Sequence, residues 1–435
     1  MSRIGKVKGF IDSIIGKAIV VGIEVYSRKS NVSLEDSLTE LKELSHAAGI
    51  ETVYTISQKK NRIEVGTYLG SGKLEEIKAL AARFGADILL VDDELSGIQI
   101  RNLEAILDME IIDRTSLILD IFANRAKSKE GKLQVELARL RYEKPRIVGG
   151  STQLSKQAGG IGSRGLGEKK LELDRRTIDK RIRDVERSIE GLKKQREVQK
   201  NRRRKSHLST VALIGYTNAG KSTLMNTFLR INNPLMSKQE SPTADMLFAT
   251  LDPFHRKVKL KDNLEFILTD TVGFVSKLPH ALVDAFMSTL EEVRDADLLL
   301  YVVDVSNEEY EHQLKVTKNV VKELGAEEIP YIIIQNKMDR LTSSELLEIT
   351  DPIETTIPIS ALTGEGLEKL ILEVEEKIMK DYKIVDLVIP FDSGAMASYI
   401  LENTKVVKHE YLDDGLHVRA YLNNHDIGRY NLFLC

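Results

Sequence analysis

At 435 residues the chain is longer than one hydrophobic core usually organises, and its 42% hydrophobic content suffices for about two to four domains. The one cysteine, Cys435, excludes a disulfide within the chain and fits a reducing compartment. The longest apolar runs, such as Ala18–Ile23 and Leu298–Val303, are strand-sized, and charges interrupt Met1–Gly16; neither a membrane span nor a signal peptide is expected, and the protein reads as soluble and cytoplasmic.

The net charge of −3 hides an asymmetry: residues 125–205 hold 26 Lys/Arg against 11 Asp/Glu, a balance of +15, which leaves −18 on the rest. A cationic segment set into an anionic chain points to a polyanionic partner.

Residues 1–124 alternate short apolar strands (Ala18–Val25, Glu51–Ile56, Ala86–Val91, Glu110–Ile112) with amphipathic helices (Leu34–Ala48, Lys73–Phe84, Ser96–Leu107), the pattern of a small parallel α/β domain. Within it, Gly70-Ser71-Gly72-Lys73 looks like a phosphate loop, but Leu74 follows where a serine or threonine is needed, so a tight turn before a helix is the favoured reading. Residues 125–205 then form a helical hairpin. Leu133, Leu137 and Leu140 mark one face of its first helix, and Leu171, Ile178, Ile182, Val185, Ile189 and Leu192 mark one stripe of its second, opposite a face dense in arginine and lysine. Seven glycines between 149 and 167 read as its tip, with a plain linker as the alternative. From 206 to 382 the βα alternation resumes in a second α/β domain, and 383–435 read as a small α+β domain.

The second α/β domain carries the chemistry. Strand Thr210–Ile214 runs into Gly215-Tyr216-Thr217-Asn218-Ala219-Gly220-Lys221-Ser222-Thr223, a G-x-x-x-x-G-K-[ST] phosphate loop in its strand–loop–helix setting. Its glycines let successive N–H groups face a β-phosphate, Lys221 reaches the β- and γ-phosphates, and the Ser222 hydroxyl is a Mg²⁺ ligand. Strand Leu264–Leu268 leads into Asp270-Thr271-Val272-Gly273, where Asp270 is expected to hold Mg²⁺ through water and the Gly273 N–H to meet the γ-phosphate. Between them, Phe248-Ala249-Thr250-Leu251-Asp252 offers Thr250 as the second Mg²⁺ ligand, present only with the γ-phosphate.

Asn336-Lys337-Met338-Asp339 follows strand Tyr331–Ile334; the Asp339 carboxylate can accept from N1–H and the 2-amino group of guanine, donors that adenine lacks. Ser360-Ala361-Leu362 supplies a backbone contact to the base carbonyl. The expected nucleotides are therefore GTP and GDP, and the domain over 206–382 is a P-loop GTPase. No single catalytic side chain stands out: Lys221 and Thr250 support phosphate chemistry, but Phe274 occupies the position where many small GTPases place a water-orienting glutamine, so slow intrinsic hydrolysis is expected. Asn218 in Gly-x-x-Asn-x-Gly-Lys-Ser resembles the asparagine of potassium-dependent GTPases; K⁺ beside the phosphates and a side chain capping its own loop stand as alternatives.

Over nearly its full length the chain resembles the HflX family of ribosome-associated GTPases. The residues that carry the likeness are Gly66-Thr67-Tyr68-Leu69-Gly70-Ser71-Gly72-Lys73, Val91-Asp92-Asp93-Glu94-Leu95-Ser96, Ile112-Asp113-Arg114-Thr115, Glu136-Leu137-Ala138-Arg139-Leu140, Gly159-Gly160-Ile161-Gly162-Ser163-Arg164-Gly165 and Gly273-Phe274. The resemblance implies a GTPase that binds the large ribosomal subunit and its rRNA and acts on stalled or stress-inactivated ribosomes, with the hairpin tip reaching toward the peptidyl-transferase region; a monomer is expected. It also implies some nucleotide binding by the N-terminal domain. A GTPase of ribosome assembly or RNA modification is the nearest alternative, and a binding protein that uses GTP only as a switch is another.

Overall fold

The structure, a computed structural model, describes residues 16–26, 33–148, 164–204, 208–232, 248, 254–260, 263–277, 290–342 and 356–435. It divides into two compact units. The first comprises 1–196 together with 244–252 and 275–288, and the second comprises 197–243, 253–274 and 289–435.

In the first unit, β1 (Lys17–Val25), β2 (Glu51–Lys60), β3 (Ile88–Val91) and β4 (Glu110–Asp113) form one sheet in the order β2-β1-β3-β4, every pair parallel. Ala18 to Val21 and Ile88 to Val91 are fully or almost fully buried, which explains why the two central strands read as unbroken apolar runs. Helices α1 (Leu34–Ala47), α2 (Ser71–Phe84) and α3 (Gly97–Leu107) connect them. Their starts are written in the sequence: Ser33 accepts from the Asp36 N–H, and Ser96 with Gln99 forms a reciprocal capping box. Helix α4 (Arg114–Arg125), capped by Asp113, was not among the expected elements. Leu117, Ile118, Leu119, Ile121 and Phe122 are all buried, so it presents apolar residues on several sides and gives no single stripe.

Helices α5 (Lys129–Val148) and α6 (Arg164–Arg204) follow. Leu137, Val185 and Ile189 form a shared core with Leu133, Leu140 and Ile182, flanked by the pairs Arg141–Glu186, Lys144–Asp179 and Arg181–Glu136. Gly165 and Gly167 lie within the backbone of α6 rather than in the connection, and the rest of the expected glycine-rich tip, 149–163, lies outside the described residues.

At the carboxyl ends of β1 and β3 the connections diverge, the position where open α/β sheets usually receive a ligand. Here the chain fills the crevice itself. The Arg114 guanidinium, 2% exposed, donates to Glu40 (2.7 Å), to the carbonyls of Ser37 (2.9 Å) and Ser276 (3.1 Å), and to Asp92 (3.2 Å). The Lys277 ammonium pairs with Asp92 and, at 3.5 Å, with Asp93. Burial works to raise the Asp92 carboxyl, but Arg114 and Lys277 together hold it below the ordinary carboxylate range.

The second unit holds a six-stranded sheet, order β10-β9-β8-β5-β7-β6, built from β5 (Ser209–Gly215), β6 (Phe254–Lys259), β7 (Glu265–Asp270), β8 (Leu298–Asp304), β9 (Tyr331–Asn336) and β10 (Thr356–Pro358). Only β6 runs antiparallel. Helices α7 (Lys221–Asn232), α8 (Tyr310–Glu323) and α9 (Leu367–Ile378) belong to this domain, and Leu224, Phe228, Leu370 and Val374 join the sheet's apolar face in one core. A smaller antiparallel sheet, β11 (Lys383–Ile389), β13 (Gly415–Leu422) and β12 (Lys405–Leu412), closes the chain with α10 (Gly394–Asn403) and α11 (Asn424–Arg429). The mixed strands and helices fit the small α+β domain expected there, while short α11 was not anticipated.

Candidate nucleotide-binding site

Strand β5 ends at Gly215 and α7 begins at Lys221, so the loop between them sits at the carboxyl edge of the sheet beside the ends of β7 and β8. Gly220 takes φ +94°, and a Cβ there would stand 2.2 Å from the Asn336 amide nitrogen. Only glycine satisfies both constraints. Tyr216, Thr217 and Ala219 are buried, while Asn218 stands exposed with φ 61° and its side chain makes no hydrogen bond to its own loop among the described residues.

The Lys221 side chain is buried and folds back along the loop, donating to the carbonyls of Gly215 (3.1 Å) and Tyr216 (2.7 Å). An ammonium has three donors, so this posture presents a cation that neighbouring carbonyls only partly satisfy. Burial pushes its pKa down to about 8, against the opposing pull of Asp270.

Asp270, at the end of β7, is fully buried and accepts from the Ser222 hydroxyl at 2.6 Å. Thr271 anchors the segment through its hydroxyl to the Leu213 carbonyl (2.7 Å), and Val272 is buried. Gly273 packs so tightly that a Cβ would lie 2.8 Å from Thr217 and 2.9 Å from the Lys221 Nζ. Phe274 is buried, and its backbone is stitched to the phosphate loop: its N–H donates to the Gly215 carbonyl (3.1 Å) and its carbonyl accepts from the Thr217 N–H (2.8 Å).

The residues expected to read the base converge from two strand ends. The Asn336 amide donates to the Ala219 carbonyl (2.8 Å) and its oxygen accepts from the Ala361 N–H (2.9 Å), tying the phosphate loop to the Ser360-Ala361-Leu362 turn. Ser360 donates to the Asp339 carboxylate (2.6 Å), the Met338 N–H meets the Ile359 carbonyl (3.2 Å), and Lys337 pairs with Asp304 (2.7 Å). Leu362 is exposed. Two supports were not read from the sequence: Asp304, signalled only by its place at the end of β8, and Thr227, whose hydroxyl holds the Ala361 carbonyl at 2.8 Å.

The structure thus brings together 215–223, 270–273, 336–339 and 360–362. Ala249, Thr250, Leu251 and Asp252 lie outside the described residues. Phe248 belongs to the first unit, where it is buried with φ 57° and meets the edge of the Phe122 ring at a centroid distance of 4.4 Å. Ser222 and Asp270 supply hard oxygen donors on adjacent elements, a set that fits Mg²⁺.

A phosphate loop, an Asp-x-x-Gly strand end and an Asn-Lys-x-Asp turn on one mostly parallel sheet define a guanine-nucleotide-binding P-loop protein. Family profiles match along the chain: a GTP-binding GTPase N-terminal region at 35–123, a GTP-binding GTPase middle region at 125–203, a 50S ribosome-binding GTPase at 210–337 and an HflX C-terminal domain at 345–426. The GTPase HflX of Caldanaerobacter subterraneus subsp. tengcongensis is 47% identical over 387 residues, covering 89% of this chain and 87% of the relative. That of Escherichia coli K12 is 40% identical over 384 residues, covering 87% and 88%. Among solved structures, a GTP-binding protein from Sulfolobus solfataricus in complex with GDP shares 25% identity with a TM-score of 0.45, covering 84% of this chain and 99% of that one. The chain belongs to the HflX family of GTPases and is a GTP-hydrolysing enzyme.

Proposed function

We propose that the chain hydrolyses GTP on the large ribosomal subunit and acts on stalled or stress-inactivated ribosomes. The observation that carries this reading is the outer face of α6: Arg175, Arg176, Lys180, Arg183 and Arg187 are exposed on a helix whose other face is committed to α5. Such a stripe suits rRNA phosphates. The match of 210–337 to a 50S ribosome-binding GTPase supports the same partner.

In this reading Lys221 and the loop N–H groups hold the β- and γ-phosphates, and Gly273 meets the γ-phosphate. Asp339 with Ser360-Ala361-Leu362 selects guanine. Ser222 and Thr250 bind Mg²⁺, with Asp270 behind a water; the ion, when bound, neutralises charge on the transferred phosphoryl group. Phe274 offers water no hydrogen bond, so turnover is slow until the ribosome contributes. In the same reading Asn218 helps hold K⁺ beside the phosphates, and faster turnover in potassium than in sodium at equal ionic strength would support that role.

The test is GTP turnover and co-sedimentation with purified large subunits, their assembly precursors, and whole ribosomes. Stimulation by mature large subunits, and release of subunits from stalled ribosomes, are expected. Binding confined to precursors would transfer the protein to ribosome assembly.

A further inference from the structure

Thr217 sits third in the phosphate loop and is 6% exposed. Its backbone is fixed by the 2.8 Å bond from its N–H to the Phe274 carbonyl, yet its hydroxyl has no hydrogen-bond partner among the described residues. Buried hydroxyls without a partner are uncommon because each loses its water and gains nothing in return. Valine has the same shape and would fill this position without that loss. The hydroxyl therefore calls for a partner that arrives with a ligand.

The surroundings say which part of the ligand. The Thr217 Cα and Cγ2 both lie 2.8 Å from the point where a Cβ on Gly273 would stand, and the Lys221 Nζ lies 2.9 Å from the same point. Gly273 and Lys221 are the γ-phosphate contacts of the site as read above. Thr217 thus packs against Gly273, with the Lys221 ammonium close to the same glycine and its own N–H bonded to the Phe274 carbonyl.

We propose that the Thr217 hydroxyl donates a hydrogen bond to the γ-phosphate of GTP, a contact that GDP lacks, and that this contact supports hydrolysis where Phe274 supplies no polar side chain. The proposal rests on the assignment of this loop as the GTP site. In the step it serves, the water oxygen forms the new bond to the γ-phosphorus, and the bond from that phosphorus to the β–γ bridging oxygen breaks. GDP leaves with that electron pair, and the proton released by the attacking water passes to phosphate. Thr217 keeps its own proton throughout.

Thr217→Val and Thr217→Ser separate this role from a packing role. With the full-length protein and large subunits, Thr217→Val should lower turnover about 10- to 100-fold, the scale of one hydrogen bond to a charged group. Its affinity for a fluorescent GDP should stay within about twofold of the parent, while its affinity for a non-hydrolysable GTP analogue falls with the turnover. Thr217→Ser should restore most of the rate. Because valine removes an unpartnered hydroxyl, the nucleotide-free Thr217→Val protein should melt at the parent temperature or above it. Parental turnover and parental GTP-over-GDP preference in Thr217→Val would overturn the proposal, as would equal losses for GDP and the analogue. A parent protein that binds no guanine nucleotide would instead remove the site assignment beneath it.

Discussion

Two sheets in this molecule, one parallel and one mostly so, each bury a cation at their carboxyl edge, and the two cations are treated in opposite ways. Arg114 is enclosed by Asp92 and Glu40 and by the Ser37 and Ser276 carbonyls, so its charge is neutralised within the chain. Lys221 is also buried but rests on the two loop carbonyls of Gly215 and Tyr216, and its pKa sinks to about 8. A saturated buried charge holds structure together; an under-compensated one waits for an anion.

Exchanging each cation for a neutral side chain of similar length should break this contrast most visibly. Arg114→Met leaves the buried Asp92 with Lys277 as its remaining cation and takes the cation from Glu40, and should cost about 3–5 kcal/mol of stability in a denaturant titration. Lys221→Met removes a desolvated ammonium and should leave stability level or raised, yet cut GTP turnover by at least about 100-fold. If both variants lose similar stability, Lys221 is as structural as Arg114 and the distinction fails.

The depressed pKa gives the next effect. Below pH 8 the Lys221 ammonium is already charged, so nucleotide affinity should be flat there. Above about 8 the free protein releases this proton, whereas bound phosphates hold it; binding must then take a proton up, and affinity should fall by about tenfold per pH unit. Lys221→Arg, which stays charged, should remove that slope. Fluorescent-GDP titrations from pH 7 to 10 make the comparison.

Within the hairpin the same contrast recurs more weakly. Arg175 and Arg183 are exposed on α6, whereas Arg181 is paired across the hairpin with Glu136 at 2.6 Å, a partner that the sequence alone did not reveal. Arg175→Glu and Arg183→Glu should each weaken binding to large subunits and lower the salt slope by about one counterion. Arg181→Ala should do less to ribosome binding and cost only about 0.2–1 kcal/mol of stability, since the pair is partly exposed. Equal effects on ribosome binding from all three would show that the paired arginine is as available as the others.

The nucleotide site was legible because its requirements are local: a strand, a loop of fixed length and a helix start put Gly215 through Ser222 in register with no distant information. The parallel strands were legible from apolar runs bounded by polar turns. Partners from far along the chain were not. Nothing in Asp92 or Arg114 announces that Ser276 and Lys277, more than 160 residues later, will complete their cluster. Nor does the threonine at 217 reveal an unpartnered hydroxyl, since that depends on how the loop packs against Gly273 and the Phe274 backbone. Helix α4 escaped because burial on several sides erases the period that marks a surface helix.

The proposed function joins an under-compensated phosphate site to a ribosome gripped through α6 that drives its turnover. Its most direct test is the rate of GTP hydrolysis as purified large subunits are titrated into the parent protein and into a variant carrying Arg175→Glu, Arg176→Glu, Arg183→Glu and Arg187→Glu. A strong, salt-sensitive rise is expected for the parent, a much smaller rise for the variant, and equal GDP affinity in both. A parental response in the variant, or no response to large subunits in either protein, would contradict it.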